Sequence, residues 1–301
     1  MVSNMGVKEA FISTRPWSFP MTFIVATVGA VYAYIDTGVF NPVLYLLTAI
    51  GVVLLHASVN LMNDYFDYKS EVDTLEAPTV KYRPHPIIAG LYSPNAILFF
   101  SISYALIGLS IGIYLTLVTD ITTLYLGLIG IGLVYAYTGY PINLKYRALG
   151  EVEVFLVWGL LISLGAYYVQ VQRLSYTVML VSTPLGLLIT AVLLANNLRD
   201  IEFDRRSGIK TLPIILGKET GLKIYEFLLY APYVIIVILA LTKIIPLLTL
   251  ASLITVPKAR GLVNLFKKQI PEPADPMTAG HVLQFGIFYL VSMIIGGIFG
   301  I

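Results

Sequence analysis

Long unbroken apolar runs alternate along the chain with short polar interruptions. About 20 consecutive apolar residues span a bilayer. On that measure the runs predict membrane helices at 19–35, 42–62, 95–117, 121–139, 152–170, 177–196, 225–242, 244–257 and 282–301, nine in all. The apolar positions are continuous rather than alternating, which argues against a transmembrane barrel. The first run follows Arg15-Pro16-Trp17, is about as long as a full span and leads into further spans, so it reads as a retained helix rather than a cleaved leader. From Tyr225 to Val256 only Lys243 and Pro246 interrupt the apolar stretch, which allows one long helix or a hairpin of two.

Charge decides between them. Of the 19 Lys and Arg, all but Arg173 and Lys243 fall at the N-terminus or in even-numbered loops. The positive-inside rule therefore places the N-terminus and even loops in the cytoplasm, and it requires an even number of crossings between the basic segments 197–224 and 258–280. Two short helices satisfy that requirement, and nine spans put the C-terminus at Ile301 outside. Of the 17 Asp and Glu, all but Asp36 and Asp120 also lie on the cytoplasmic side, most of them in 63–94 and 197–224. Function is expected on that face, in those two loops.

Composition agrees with a membrane protein. Residues are 57% hydrophobic and 12% charged, about half the charge of a soluble domain, and the mean hydropathy is +0.83. The chain has no Cys, which excludes disulfides, thiolate nucleophiles and Cys-ligated metals. A net charge of +2 gives no reason to expect a nucleic-acid partner. The whole chain, 1–301, reads as a single all-α membrane domain.

Two acidic clusters stand out. Asn60-Leu-Met-Asn63-Asp64-Tyr-Phe-Asp67 and, further on, Asp73 follow the second span, and Asn196-Asn197-Leu-Arg199-Asp200-Ile-Glu202-Phe-Asp204 follows the sixth. Each sits at the cytoplasmic end of the second helix of a four-helix group. The chain thus reads as two four-helix halves plus a ninth helix, with the clusters facing one another across a central cavity. Residues three or four apart share a helix face, where like charges repel unless a cation bridges them. Oxygen ligands without His or Cys suit Mg²⁺, which takes one or two carboxylates together with substrate phosphates and waters. The Asn60, Asn63, Asn196 and Asn197 amides can complete coordination or hold the carboxylates, and two clusters suit two ions around one diphosphate. A single cluster could equally be a solvated helix end. Glu71, Glu76 and Glu202 read as surface charges.

A bound diphosphate needs further cations. Arg15, Lys81, Arg83, Lys145 and Arg199 are the candidates, with Tyr137 a possible donor to phosphate; Arg83 and Arg199 are favoured because they lie within acidic segments. Lys8, Lys218, Lys223, Lys258, Lys267 and Lys268 need no role beyond orienting helices. His56 reads as a satisfied buried imidazole without a role, His85 as a neighbour of the site and Trp17 as an interfacial anchor. No P-loop, Rossmann glycine pattern or His-rich metal motif is present.

With these residues in place, the chain resembles the UbiA superfamily of intramembrane aromatic prenyltransferases over essentially its full length. It is most similar to the MenA branch, which acts on 1,4-dihydroxy-2-naphthoate. The resemblance rests on Asn60 through Asp67 with Asp73, on Tyr137-Thr-Gly-Tyr-Pro141 through Ala148-Leu149-Gly150-Glu151 and Val154-Phe155, and on Asn196 through Asp204 with Gly208, Thr211-Leu212 and Leu216-Gly217. One segment differs: Arg83-Pro84-His85-Pro86-Ile-Ile-Ala-Gly90 is closer to branches that act on 4-hydroxybenzoate or archaeal glycerol lipids. The resemblance implies nine transmembrane helices around a cavity, under cytoplasmic caps. It implies that Asn63, Asp64 and Asp67 hold one Mg²⁺ and Asn197, Asp200 and Asp204 a second. Arg199, Lys145, Arg83 and Tyr137 would then bind the prenyl diphosphate and stabilise departing pyrophosphate, and Asp73 would orient the acceptor or act as base. In the MenA reaction the acceptor loses its carboxylate as carbon dioxide, and the prenyl tail lies between helices or opens into lipid.

Two other readings fit these residues. One is a superfamily member with another acceptor, such as 4-hydroxybenzoate or geranylgeranylglyceryl phosphate. The other is a cation-coupled transporter built on repeated helices, although its ionisable groups would be expected near the membrane midplane.

Overall fold

Proline and capping residues start the long helices where the apolar runs begin. Asn41 accepts hydrogen bonds from the backbone N–H groups of Val43 and Leu44 at 3.0 and 3.1 Å, and Pro42 fills the first helical position of α3 (Pro42–Lys69). Ser93 and Pro94 do the same for α4 (Pro94–Val118), and Asp120 caps α5 (Ile121–Thr138) through the Thr122 N–H at 2.7 Å. Gly38, at φ 75°, closes α2 (Phe19–Thr37) in the left-handed conformation that glycine tolerates. The structure, a computed structural model, describes residues 7–70 and 85–301.

Among the described residues the chain is helical, with one isolated backbone bridge between Arg147 and Lys210. Eight helices are long and apolar enough to cross a membrane, and the protein is an integral, multi-pass membrane protein. After a short α1 (Val7–Ser13), the first candidate span is Pro16–Thr37, followed by α3, α4 and α5. The fifth, Gly150–Val171, is composite: α6 (Gly150–Val154), a π-helical stretch Phe155–Leu161, and α7 (Ile162–Val171). The sixth is α8 (Tyr176–Arg199), followed by short helices α9 (Ile201–Arg206) and α10 (Leu212–Leu216). Helices α11 (Lys218–Leu241) and α13 (Ala274–Phe299) complete the eight.

The segment expected to cross at 244–257 takes a different form. A 3₁₀ stretch, Leu247–Thr255, runs directly into α12 (Val256–Lys268), whose last turn carries Lys267 and Lys268. At about 2.0 Å per 3₁₀ residue and 1.5 Å per α residue, the two together extend about 37 Å.

Helix α8 is at the centre. The most apolar window of α8 is 72% buried and that of Pro16–Thr37 is 67%, against 17% for α4 and 11% for α5, whose Phe99, Leu117 and Tyr125 face outward. Small residues allow the central helices to meet: a Cβ on Gly186 of α8 would lie 2.2 Å from the Gly159 Cα in the π-helical stretch. That contact fixes the composite span against α8 and so sets how Glu151, Glu153 and Trp158 face the second acidic cluster.

Two helices depart from their predicted ends in ways that shape the site. Helix α3 runs on from its predicted end at 62 to Lys69, carrying Asn63, Asp64 and Asp67 as helical residues. Helix α8 stops at Arg199, yet the Asp204 N–H still donates to the Asp200 carbonyl at 2.8 Å, so Asp200 and Asp204 keep a one-turn spacing across the junction.

Candidate active site

Nine of the predicted site residues line one cavity of about 800 Å³: Arg15, Asn60, Asn63, Asp67, Tyr137, Lys145, Asn197, Asp200 and Asp204. They come from the start of the first span and from α3, α5, the α5–α6 loop, α8 and α9, which explains why the sequence scatters them. Asp73, Lys81 and Arg83 lie outside the described residues.

The first cluster divides. Asp67 faces the cavity, where its carboxylate accepts from Lys145 Nζ at 2.6 Å and from the Tyr146 hydroxyl. Asp64 is fully buried, does not line the cavity, and pairs with the Arg15 guanidinium; His85 Nε2 stands 3.9 Å from it. A spacing of three residues on a helix turns the two carboxylates about 60° apart, enough to send one to the cavity and the other to the segment before α2. Arg15 itself has a left-handed backbone at φ 58°, a strained conformation for a non-glycine residue. Asn63 Oδ1 accepts from the Thr138 hydroxyl at 2.8 Å, which turns its NH₂ group away from that contact. Asn60 donates to the Thr14 carbonyl at 3.0 Å and to Ser18 Oγ at 3.2 Å, tying α3 to the entry of the first span.

The second cluster stays together. Asp200 and Asp204 both line the cavity. Arg199, expected to meet the diphosphate, is placed behind Asp200 instead. Its Nε and Nη2 each lie 2.6 Å from Asp200 oxygens, its Nη2 also donates to Asn196 Oδ1 at 2.6 Å, and its Nη1 binds Asp275. It does not line the cavity, because four acceptor atoms on α8 and α13 already hold the guanidinium fork. Asn197 Nδ2 donates to Glu151 Oε1 at 2.9 Å, which leaves its amide oxygen as the end available to a cation.

Burial raises the Asp200 carboxyl above the usual carboxylate range despite the Arg199 pair, and burial together with the Asp200 charge pushes Asp204 up to about 7. The Asp204 side chain has no hydrogen-bond or ion-pair partner among the described residues. This is the electrostatic state of carboxylates held close together for a cation.

No three His, Asp or Glu side chains among the described residues converge on one point as a closed metal cage. The donor set nevertheless fits Mg²⁺: carboxylate and amide oxygens on two walls of a cavity wide enough for phosphate and water to complete an octahedron.

Three groups without a predicted role line the cavity or bind its lining residues. Glu153 is 3% exposed and lines the wall. Tyr146 binds Asp67, and Asp275 binds Arg199. Glu153 carried a signal, since an ionisable residue inside a span is functional by default. The other two could not be found from sequence, because they act across 79 and 76 residues of chain.

A second, apolar hollow of about 280 Å³ lies between α3, α4, α5 and the composite span. His56, Val59, Asn63, Val134 and Trp158 line both spaces, so the two adjoin. The polar cavity therefore meets an apolar slot at one shared wall.

Comparison with known proteins agrees with this architecture. The profile of the UbiA prenyltransferase family matches residues 22–279. UbiA prenyltransferase domain-containing protein 1 of Rattus norvegicus is 32% identical over 287 residues, covering 94% of this chain and 82% of the relative. Among solved structures, a UbiA homolog from Aeropyrum pernix K1 superposes with a TM-score of 0.72 at 15% identity, covering 91% of this chain and 98% of the other. A UbiA homolog from Archaeoglobus fulgidus bound to GPP and Mg²⁺ gives 0.60 at 15% identity, covering 95% and 99%. At these identities the two structures speak for the fold. The chain belongs to the UbiA prenyltransferase family and is a prenyltransferase.

Proposed function

We propose that this family member is a Mg²⁺-dependent polyprenyltransferase that moves the prenyl group of a prenyl diphosphate onto an aromatic acceptor, 1,4-dihydroxy-2-naphthoate, as a step in menaquinone biosynthesis. The observation that carries the reading is the junction of an acid-lined cavity with an apolar slot. A prenyl diphosphate has that polarity, a polyanionic head on a hydrocarbon tail. The naphthoate acceptor is supported by the Leu149-Gly150-Glu151 segment and by the Asn197-Leu-Arg199-Asp200 through Leu216-Gly217 pattern, which resemble the MenA branch. Family membership displaces the transporter reading.

Asp67, Asp200 and Asp204, with the Asn197 amide oxygen, would hold two Mg²⁺, which neutralise the diphosphate and stabilise pyrophosphate as it leaves. Asp64 would join them by giving up the Arg15 pair. The Asn63 NH₂ group, turned from Thr138, suits a phosphate oxygen. Lys145, now on Asp67, would transfer to the diphosphate, where its charge acts on the leaving oxygens. Arg199 contributes by holding Asp200. Loss of pyrophosphate leaves an allylic cation, which the electron-rich ring attacks in a site whose apolar walls exclude water. The tail occupies the slot between α3, α4 and α5. The active-site face and the N-terminus are assigned to the cytoplasm by the distribution of Lys and Arg, with 244–257 as a ninth crossing and the C-terminus outside.

The test is prenylated product and pyrophosphate from purified protein given Mg²⁺, a long-chain prenyl diphosphate and, in parallel, dihydroxynaphthoate, 4-hydroxybenzoate or a prenylglyceryl phosphate. Turnover with dihydroxynaphthoate, abolished by EDTA, is expected. Turnover only with another acceptor would retain the chemistry and overturn the acceptor.

A further inference from the structure

Two carboxylates in the cavity wall are not used by the metal and diphosphate chemistry, Asp275, which pairs with Arg199, and Glu153. Glu153 projects from α6, is 3% exposed, and has no hydrogen-bond or ion-pair partner among the described residues. Burying a carboxylate without a partner costs stability, and a fold retains it where a ligand supplies the missing partner.

Its surroundings define that partner. On the same stretch Val154 and Trp158 line the cavity, and on α8 Ile189, Val192 and Leu193 do so before the wall turns polar at Asn196. Glu153 thus shares its stretch of the wall with apolar side chains. A lone carboxylate among apolar groups is a poor Mg²⁺ site, since the ion demands six oxygens. It is a good site for a hydroxyl on a flat apolar ring.

Of the neighbouring polar groups, Tyr137 also lines the cavity, whereas Trp158, Thr22, His56 and Glu151 are engaged. Trp158 Nε1 donates to Thr22 Oγ1 at 2.8 Å, so Thr22 has its own hydroxyl proton left for His56 Nδ1, 2.7 Å away. The other ring nitrogen, Nε2, faces Ser18 Oγ at 3.3 Å. Both His56 nitrogens are therefore engaged, and Trp158 offers its ring rather than a donor. Glu151 is held by Asn197. Of the two α6 carboxylates, Glu153 is the one without a hydrogen-bond partner among the described residues.

We propose that Glu153 is the base and hydroxyl-recognising contact for the acceptor, a hydroxylated aromatic ring lying against Val154, Trp158 and Leu193. The assignment rests on the prenyl-transfer reading above. The prenyl C–O bond breaks with its electron pair on pyrophosphate, and a ring carbon beside the hydroxyl-bearing carbon supplies the pair for the new C–C bond. The hydroxyl O–H pair closes to a carbonyl and its proton passes to Glu153. If the attacked carbon bears a carboxylate, carbon dioxide leaves, its bonding pair restores the ring, and Glu153 returns the proton to the carbonyl oxygen. If that carbon bears hydrogen, the ring proton goes to the departed pyrophosphate and Glu153 again returns its own.

The experiment compares wild type, Glu153→Gln and Glu153→Asp with a hydroxylated acceptor and its methyl ether, and measures binding of a non-cleavable prenyl thiolodiphosphate with Mg²⁺. Wild type is expected to strongly prefer the free hydroxyl. Glu153→Gln should lose about 100-fold or more in kcat, the usual share of a general base, and Glu153→Asp should recover part of it. Analogue affinity should be unchanged in both variants, which also reports that they fold. Glu153→Gln within twofold of wild type on the hydroxylated acceptor, or an equal loss of analogue binding, would overturn the assignment. No turnover by wild type with any hydroxylated aromatic would instead overturn the aromatic-acceptor reading, and this assignment with it.

Discussion

The two ends of the helical bundle use the same side chains in opposite ways. At one end Asp36 is bound by the Tyr167 hydroxyl and by Arg173, and Asp120 accepts from the Thr122 N–H and, at 2.6 Å, from the Tyr168 hydroxyl. Those hydrogen bonds, that of Tyr168 foremost, hold the Asp120 carboxyl below the usual range. At the other end Asp204 and Glu153 are buried without hydrogen-bond or ion-pair partners among the described residues, and Asp204 is pushed up to about 7. The difference separates a carboxylate that closes a structure from one kept ready for a ligand. Satisfied hydrogen bonds lower a carboxyl pKa and stabilise the fold, whereas desolvation without a partner raises it and costs stability.

The largest expected effect breaks the functional end. Asp67→Asn or Asp200→Asn removes an oxygen charge from the Mg²⁺–diphosphate site and should lower Mg²⁺-dependent pyrophosphate release by about 100-fold or more, corresponding to about 3 kcal/mol of transition-state stabilisation. Circular dichroism should be unchanged. Activity within a few-fold of wild type in both variants would remove the aspartates from the chemistry.

Asp204→Asn sharpens the contrast because its effects on stability and function should have opposite signs. In the metal-free protein the folded-state pKa of about 7 lies above the unfolded value, so the folded state binds more protons and loses stability as pH rises between the two. The amide escapes that penalty. Its thermal midpoint in EDTA should exceed that of wild type by an amount that grows from about pH 4, near the ordinary carboxylate value, to about 7 and then levels, while turnover falls. A lower midpoint than wild type at pH 8 would show that Asp204 is a structural residue.

Asp120→Ala probes the closed end and should do the least. It removes a helix cap and should lower the thermal midpoint by a few degrees with kcat unchanged. A large loss of turnover would mean that the two ends are coupled.

Much of this was legible in the sequence, for identifiable reasons. Eight span positions follow from apolar run length, and the opposite placement of Asp36 and Asp120 from the other acids follows from loop parity. What the sequence left out depends on contacts across long chain separations. Asp64 and Asp67 look equivalent on paper, but Arg15, 49 residues before Asp64, takes the first while Lys145 takes the second. Arg199 looks like a phosphate ligand beside the aspartates, yet Asp275 and Asn196 draw it behind Asp200. The π-helical stretch Phe155–Leu161 has no signal in hydrophobic pattern, because it depends on Gly159 meeting Gly186 on another helix.

The most direct measurement is the thermal midpoint of the purified protein titrated with Mg²⁺, with a prenyl thiolodiphosphate, and with both. If Asp67, Asp200 and Asp204 form a cation–diphosphate site, the two together should raise the midpoint far more than the sum of each alone, and Asp200→Asn should abolish that excess. Additive shifts, or the same excess in Asp200→Asn, would contradict the account.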